Sequence, residues 1–403
     1  MNLKKMLRIL AALLAGVLLM MTTACTPEAV DIRNGVPKSE YPFTVNGITI
    51  REAVGKVAVF DDSLTDVVVY LGDTSKVKLA ARAETVTHPA VEALPTAGTA
   101  DAPDIEAMKK LKIDLILTDE AFVPEVSKKL DDAGIQVLVC PPATSRAELT
   151  TLYRAVACAM LGGKTGYAIG EKRSTGLLMA IDDILRIVPE QEVPIVTGFV
   201  LDEAGTFATD LTLAGNLLSY ARAVNLAAEQ NQFTAEELQL AAPSALFCAY
   251  GLDDVLKGNP LFGNLPAVKQ GKLTQLARGE LIWQGEGLVD GLMRVAVTLY
   301  PELDQEGLLP DNNTRPEDRP SNPENEGKTY PRYVDANSSS ADIRILQERL
   351  IELGYLPAPS TGQYTYWTRA CVKQFQGIVK LEPTGIADEA TMDALFSDSA
   401  PKF

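Results

Sequence analysis

The chain has 403 residues, 46% of them hydrophobic, which is enough to fill more than one core, so two or three domains are expected. A net charge of −16, with no Lys/Arg-rich run after the N-terminal segment, argues against nucleic acid as a partner. His88 is the only histidine, which excludes a multi-histidine zinc or manganese site and any Ser-His-Asp or Cys-His catalytic set that does not pass through it.

In chain order, Lys4, Lys5 and Arg8 precede an apolar run from Ile9 to Met21, and small residues then lead to Cys25. These are the charged, hydrophobic and cleavage regions of a secretory signal over residues 1–24. The apolar run is shorter than the ~20 residues a spanning helix needs. Residues 25–55 read as a polar tether and lead-in. Over 56–144 strand and helix signals alternate: a strand from Lys56 to Asp62, a helix from Ser63 to Leu71 stopped by Gly72, then strands at Val77 to Arg82, Leu115 to Thr118 and Val137 to Cys140. Alternation of this kind predicts parallel βαβ units.

Residues 145–190 read as connecting helices. Ser145 and Glu148 have the spacing of a capping box, and after Gly162-Gly163 one helix is predicted from Lys164 to Ile187. Its length of ~36 Å, at 1.5 Å per residue, lets it run from one lobe to another. A second set of strands follows over 191–303, at Pro194 to Leu201, Ala245 to Ala249 and Leu273 to Leu276, closed by an amphipathic helix from Leu288 to Leu299. The two sets share a phrase. Glu106 and Glu236, 130 positions apart, each open a short helix that breaks and gives way to an apolar strand. Two similar lobes are therefore expected, with a binding crevice between the strand ends.

Loops after the strand ends supply the candidate cleft residues Asp62, Ser63, Thr118, Asp119, Asp202, Phe207, Tyr250, Trp283 and Gln284. Tyr250 and Trp283 offer rigid aromatic faces to a large ring ligand or chelate, the competing reading being that each packs on its own loop. Arg82 and Arg278 suit an anionic chelate if they are not simply solvated, whereas Asp62, Asp119 and Asp202 favour a neutral or cationic one. His88, before Pro89 in a predicted loop, has either a surface or packing role or ligates the metal of a haem or corrinoid. Cys140, Cys158, Cys248 and Cys371 lack C-x-x-C spacing and read as buried thiols.

Residues 304–340 turn to Pro, Asn, Asp, Glu and Ser and read as a disordered linker. Beyond it, over 341–397, three short helices are predicted at Asp342 to Tyr355, Thr368 to Gln376 and Asp388 to Phe396.

Three resemblances follow from these residues. Thr22-Thr23-Ala24-Cys25 resembles the lipobox of bacterial lipoproteins, with Thr22 where Leu is usual, and implies acylation of Cys25 and a membrane anchor. The segments Lys56 to Gly72, Glu106 to Leu117, Gly134 to Val139 and Leu265 to Leu273, in this order, resemble the helical-backbone substrate-binding proteins of ABC importers for ferric siderophores, haem and cobalamin. That resemblance implies an α/β fold of two Rossmann-like lobes joined by one long backbone helix, little hinge movement, no intrinsic cofactor, and a ligand held between the lobes. It also implies that Glu106 and Glu236 meet an ABC permease in the plasma membrane. A carboxylate in a helix first turn is favoured by the macrodipole in any case, so capping is the competing reading.

Leu346-Gln347, Leu353-Gly354-Tyr355, Thr368, Phe375-Gln376, Thr384-Gly385 and Thr391 resemble the small three-helix peptidoglycan-binding domain, with Thr361 in place of the usual Asp before Gly362. Gln347, Tyr355, Thr368, Phe375 and Gln376 are its candidate residues, the glutamines either touching glycan or satisfying loop backbone groups. The function implied is that of an extracytoplasmic, lipid-anchored solute-binding receptor with a second, non-catalytic attachment to the wall. The alternative is a wall-associated structural or sensory lipoprotein whose lobes no longer serve transport; a cleft filled by side chains would favour it.

Overall fold

The computed structural model describes residues 40–81, 88–304, 329–336, 338–357 and 360–403. The expected signal segment, Cys25, Arg82 and most of the expected linker lie outside these residues. An N-terminal hairpin of β1 (Phe43–Val45) and β2 (Ile48–Ile50) leads into the first lobe. This lobe contains β3 (Val57–Val59), α1 (Asp62–Leu71), β4 (Val77–Ala80), α2 (Ile105–Leu111), β5 (Leu115–Thr118), α3 (Pro124–Asp132) and β6 (Gln136–Val139). Its four strands are all parallel, in the order β4-β3-β5-β6. They are short aliphatic runs because helices cover both faces of a parallel sheet. In α1, Asp61 accepts from Leu64 N–H at 2.7 Å to cap the start, Gly72 ends the helix in the left-handed region, and every residue from Ser63 to Leu71 is buried.

Two helices link the lobes, α4 (Arg146–Leu161) and α5 (Gly163–Ile187). They lie unusually close, because a Cβ on Gly166 would stand 2.2 Å from Ala157 O and one on Gly170 would stand 2.6 Å from Tyr153 O. Two glycines one turn apart on α5 therefore let its backbone rest against α4. The start of α5 is held by the Glu40 carboxylate, which accepts from Lys164 N–H at 2.6 Å and from Thr165 Oγ1–H at 2.7 Å. Residues 40–55, read from sequence as lead-in, thus belong to the lobe, with Ile50 and Val54 in its core. The expected capping box is displaced. Ser145 accepts from Glu148 N–H, but the Glu148 carboxylate turns to Thr144, taking its N–H at 2.8 Å and its hydroxyl at 2.7 Å.

The second lobe contains β7 (Ile195–Thr197), β8 (Phe199–Val200), α6 (Leu213–Leu217), β9 (Ala223–Asn225), α7 (Ala235–Ala241), β10 (Leu246–Cys248), α8 (Asp253–Gly258), α9 (Pro260–Gly263), α10 (Pro266–Lys269), β11 (Leu273–Gln275) and α11 (Gly287–Leu299). The single run expected from Pro194 to Leu201 is broken at Gly198. Its first half pairs with β9, and its second half joins a parallel sheet ordered β11-β10-β8. The lobes repeat one another in backbone detail. Asp104 and Thr234 cap α2 and α7, Met108 and Leu238 are the fully buried residues of those helices, and Lys112 and Ala242 end them at φ 57° and 45° before β5 and β10.

The C-terminal module is built from α12 (Ser340–Glu352), α13 (Tyr366–Ile378) and α14 (Glu389–Phe396) around Leu346, Leu350, Phe375, Met392 and Leu395. Residues 329–336, expected in the linker, are part of it: Tyr330 stacks on Phe396 at 4.4 Å, and Val334 exchanges backbone hydrogen bonds with Ala387. Cys140, Cys158, Cys248 and Cys371 are buried reduced thiols.

Candidate functional site

The C-terminal ends of the strands in both lobes converge on one seam. After β3, the Asp62 carboxylate accepts from His88 N–H at 2.8 Å. Burial raises its pKa, while the His88 N–H, the His88 ring and the Arg278 guanidinium act the other way. Arg278, after β11, leans over the Tyr250 ring at 5.5 Å. Burial pushes Asp61 up to about 6 against the pull of the Leu64 N–H, and Asp119 adds repulsion. Asp62, Asp119, Tyr250 and Arg278 are all half-buried, and Asp62 of the first lobe meets the field of an arginine of the second that covers a tyrosine.

Other expected cleft residues stitch the lobes together or lie in a core. Gln284 donates to Ala143 O at 2.7 Å and accepts from Ala143 N–H at 2.8 Å, its own N–H donates to Ser63 Oγ, and its carbonyl accepts from Tyr153 Oη–H. The structure therefore places Ser63 and Gln284 inside the seam. Thr118 is buried and donates to Glu120 O. Phe207 sits in an aromatic cluster with Phe233 and Phe262 rather than on the cleft wall. The exposed end of the Asp202 loop is tied back by the Thr206 N–H.

Trp283 lies against the His88 ring, centroids 4.6 Å apart, and both are buried. His88 therefore packs in the seam instead of lying on the surface. Its Nδ1 accepts from Ala90 N–H, so Nε2 carries the proton and donates to Asp66 Oδ1 at 3.2 Å. The terminal amide of Gln363, from the C-terminal module, is 3.1 Å from the same Nε2. A donor there asks for the oxygen end of that amide. Beside it, Thr365 of the module donates to Glu286 Oε1 at 2.8 Å. The module thus rests on a residue from each lobe at once. Gly285 makes room for this, since a Cβ there would stand 2.3 Å from Asp66 Oδ2. Among the described residues, Asp66 Oδ2 and Glu286 Oε2 are buried without a hydrogen-bond partner.

Comparison with known proteins explains this plan. Residues 57–278, more than half of the chain, match the family described as "Periplasmic binding protein". The chain belongs to that family. Residues 339–395 match the "Putative peptidoglycan binding domain". No curated protein matches the chain. Among solved structures, the chain is similar to a periplasmic haem-binding protein from Pseudomonas aeruginosa (23% identity, 62% of this chain and 93% of that one, TM-score 0.53). It is also similar to the haem-binding protein RhuT of Roseiflexus sp. RS-1 in apo form (19%, 62% and 99%, TM-score 0.53) and to a periplasmic binding protein of Veillonella parvula (15%, 68% and 97%, TM-score 0.52). At these identities the likeness shows the shared fold. This periplasmic binding protein thus has two α/β lobes, a long connecting helix and a peptidoglycan-binding-type module, as the resemblances in its sequence implied, and a solute-binding role.

Glu106 and Glu236 occupy the same first-turn position of α2 and α7, and both are exposed. Glu106 reaches Lys109 at 3.0 Å, and the adjacent Glu237 supplies a true capping box with Thr234. In the module, Gln347, Tyr355, Thr368, Phe375 and Gln376 are all buried. Gln347 accepts from Gly362 N–H and donates to Thr361, Gln363 O and Thr368. Gln376 repeats this with Gly385 N–H, Thr384, Ile386 O and Thr391. The two glutamines therefore hold twin loops, 361–365 and 384–388, and the first of these carries the residues that meet the lobes. Asp66 and Glu286 were not among the candidates. A weak signal existed for each: Asp66 directly precedes the apolar run Val67-Val68-Val69, and Glu286 stands between Gly285 and Gly287.

Proposed function

We propose that this periplasmic binding protein captures an iron chelate, haem or a corrinoid between its lobes and delivers it to an ABC permease, held outside the membrane by a lipid on Cys25 and by its module on peptidoglycan. The facing of Asp62 by Arg278, which in turn covers Tyr250, carries the reading, because it leaves polar and aromatic groups of both lobes accessible where their strand ends meet. The haem-binding proteins of the same fold support the ligand class. Mixed charge on the wall suits a ligand of low net charge. With Trp283 committed to His88, Tyr250 is the aromatic assigned to the ligand. Tyr250→Ala is expected to weaken saturable binding of the cognate haem, siderophore or corrinoid by about 1–2 kcal/mol in calorimetry. Absence of saturable binding across a broad panel of these ligands would overturn the receptor reading.

A second reading is favoured by one observation, the burial of Trp283, Gln284 and Ser63 in the seam. Side chains that fill the space between lobes suit a wall-associated structural or sensory lipoprotein, and the same ligand panel separates the two. The wall attachment is tested separately. A chain ending at Asp304, before the segment that packs on the module, is expected to stop co-sedimenting with purified peptidoglycan sacculi, while the full chain sediments at low and moderate salt. Equal sedimentation of both would remove the module as the wall contact.

A further inference from the structure

The module's seat on the lobes has a feature that simple packing does not require. Glu286 is wholly buried there, and one of its two oxygens has no hydrogen-bond partner among the described residues. The same is true of Asp66, one side chain away across the seam. Two carboxylates so placed cannot both be charged without a large desolvation and repulsion cost. Asp66 Oδ1 is already occupied as the acceptor of the His88 Nε2–H. The proton therefore belongs on Glu286, which accepts the Thr365 hydroxyl through one oxygen and is left to hold a hydrogen on the other.

We propose that the C-terminal module is a proton-controlled latch, closed across both lobes when Glu286 is protonated and opened as that proton is lost. The groups that face Glu286 from the surrounding elements are Asp66 and Tyr70 on α1 and Cys371 on α13, with His88, in the loop after β4, bonded to Asp66. Tyr153 on α4 also faces it, and Arg173 on α5 is the nearby cation acting on Tyr70 and Tyr153. In the closed state burial pushes Glu286 up to about 7 from an ordinary 4.5, opposed by the Thr365 hydroxyl, reinforced by Asp66 and opposed in smaller measure by the Thr361 hydroxyl. Undocking returns the carboxyl to water. Because the closed form has the raised pKa, the closing contribution is fully present below the ordinary value and is lost as pH rises through about 7. Linkage then weakens closure about thirtyfold between pH 5.5 and 8.5. The latch rests on the contact between module and lobes and not on the identity of the solute.

The two tryptophans of the chain sit on the two sides of this contact, Trp283 in the lobes and Trp367 on the module, partly buried against both cores. Hydrogen–deuterium exchange on the full chain, corrected for the intrinsic rate, reads closure directly in peptides covering residues 279–288 and 360–368. Wild type is expected to lose about thirtyfold in protection between pH 5.5 and 8.5, with a red shift of tryptophan emission. Glu286→Gln keeps an acceptor for Thr365 and cannot titrate, so its protection is expected to stay constant. Thr365→Val is expected to lower protection at every pH while the circular dichroism of the chain is unchanged. Protection that is flat with pH in wild type, or that falls equally in Glu286→Gln, overturns the latch. Loss of solute binding by any variant would bear on the receptor reading and leaves this comparison intact.

Discussion

Reversing both first-turn glutamates, Glu106→Arg with Glu236→Arg, is expected to abolish solute uptake by cells while the purified chain keeps its solute affinity within about twofold. The two carboxylates occupy equivalent positions on the repeated helices α2 and α7, and the Glu106 side chain is 84% exposed. Exposed charges steer and register a partner across a rim, and two on separate lobes give two-point docking. The helices survive the change because Asp104 and Thr234 still cap them. Uptake of labelled solute and calorimetry on the same variant make the comparison. A parallel loss of affinity would assign these glutamates to the solute site and remove them from the permease surface.

Arg294→Met is expected to destabilise the second lobe by about 3–5 kcal/mol. Arg294 on α11 makes two hydrogen bonds of 2.7 Å to the Glu280 carboxylate, and both side chains are nearly inaccessible. Glu280 also accepts from Ala277 N–H at 2.8 Å, so the pair fixes the start of the loop that carries Trp283, Gln284 and Glu286. Removing the arginine leaves a buried carboxylate without its charge partner. The double change Glu280→Met with Arg294→Met removes both charges, and recovery is expected up to the about 1–3 kcal/mol that an unmet Ala277 N–H costs. Urea unfolding followed by Trp283 emission, in a Trp367→Phe background, checks both values. Wild-type stability for Arg294→Met would show that the pair contributes nothing to the lobe.

The strands and helices of the first lobe were readable because each is specified locally. Val57–Val59, Leu115–Thr118 and Gln136–Val139 are aliphatic runs whose neighbours are turn residues, and α1 carries its own Asp61 cap and Gly72 stop. The 130-residue echo was readable for the same reason, since a cap, a buried residue one turn on and a left-handed ending recur in the short helices of both lobes. Sequence pattern was less informative where partner choice mattered. The run from Pro194 to Leu201 has strand character throughout, yet it serves two sheets, split at Gly198 against the Phe207 ring. Residues 329–336 look too polar to fold, but Tyr330 and Val334 find their apolar partners only on α14 and at Ala387.

Local sequence fixed this protein's class: short-range capping, periodicity and turn chemistry specified two α/β lobes, a long connecting helix and a small helical module, because those signals act within a few residues of one another. The roles of Trp283, Gln284, His88, Asp66 and Glu286 depend on contacts between groups from 22 to 275 positions apart, such as Gln284 N–H with Ser63 and Gln363 with His88. A loop that follows a strand has the same composition whether it lines an open cleft or is pressed into a seam. Burial by the opposite lobe and by the module turned candidate cleft residues into stitches, and it gave one glutamate a pKa near neutrality.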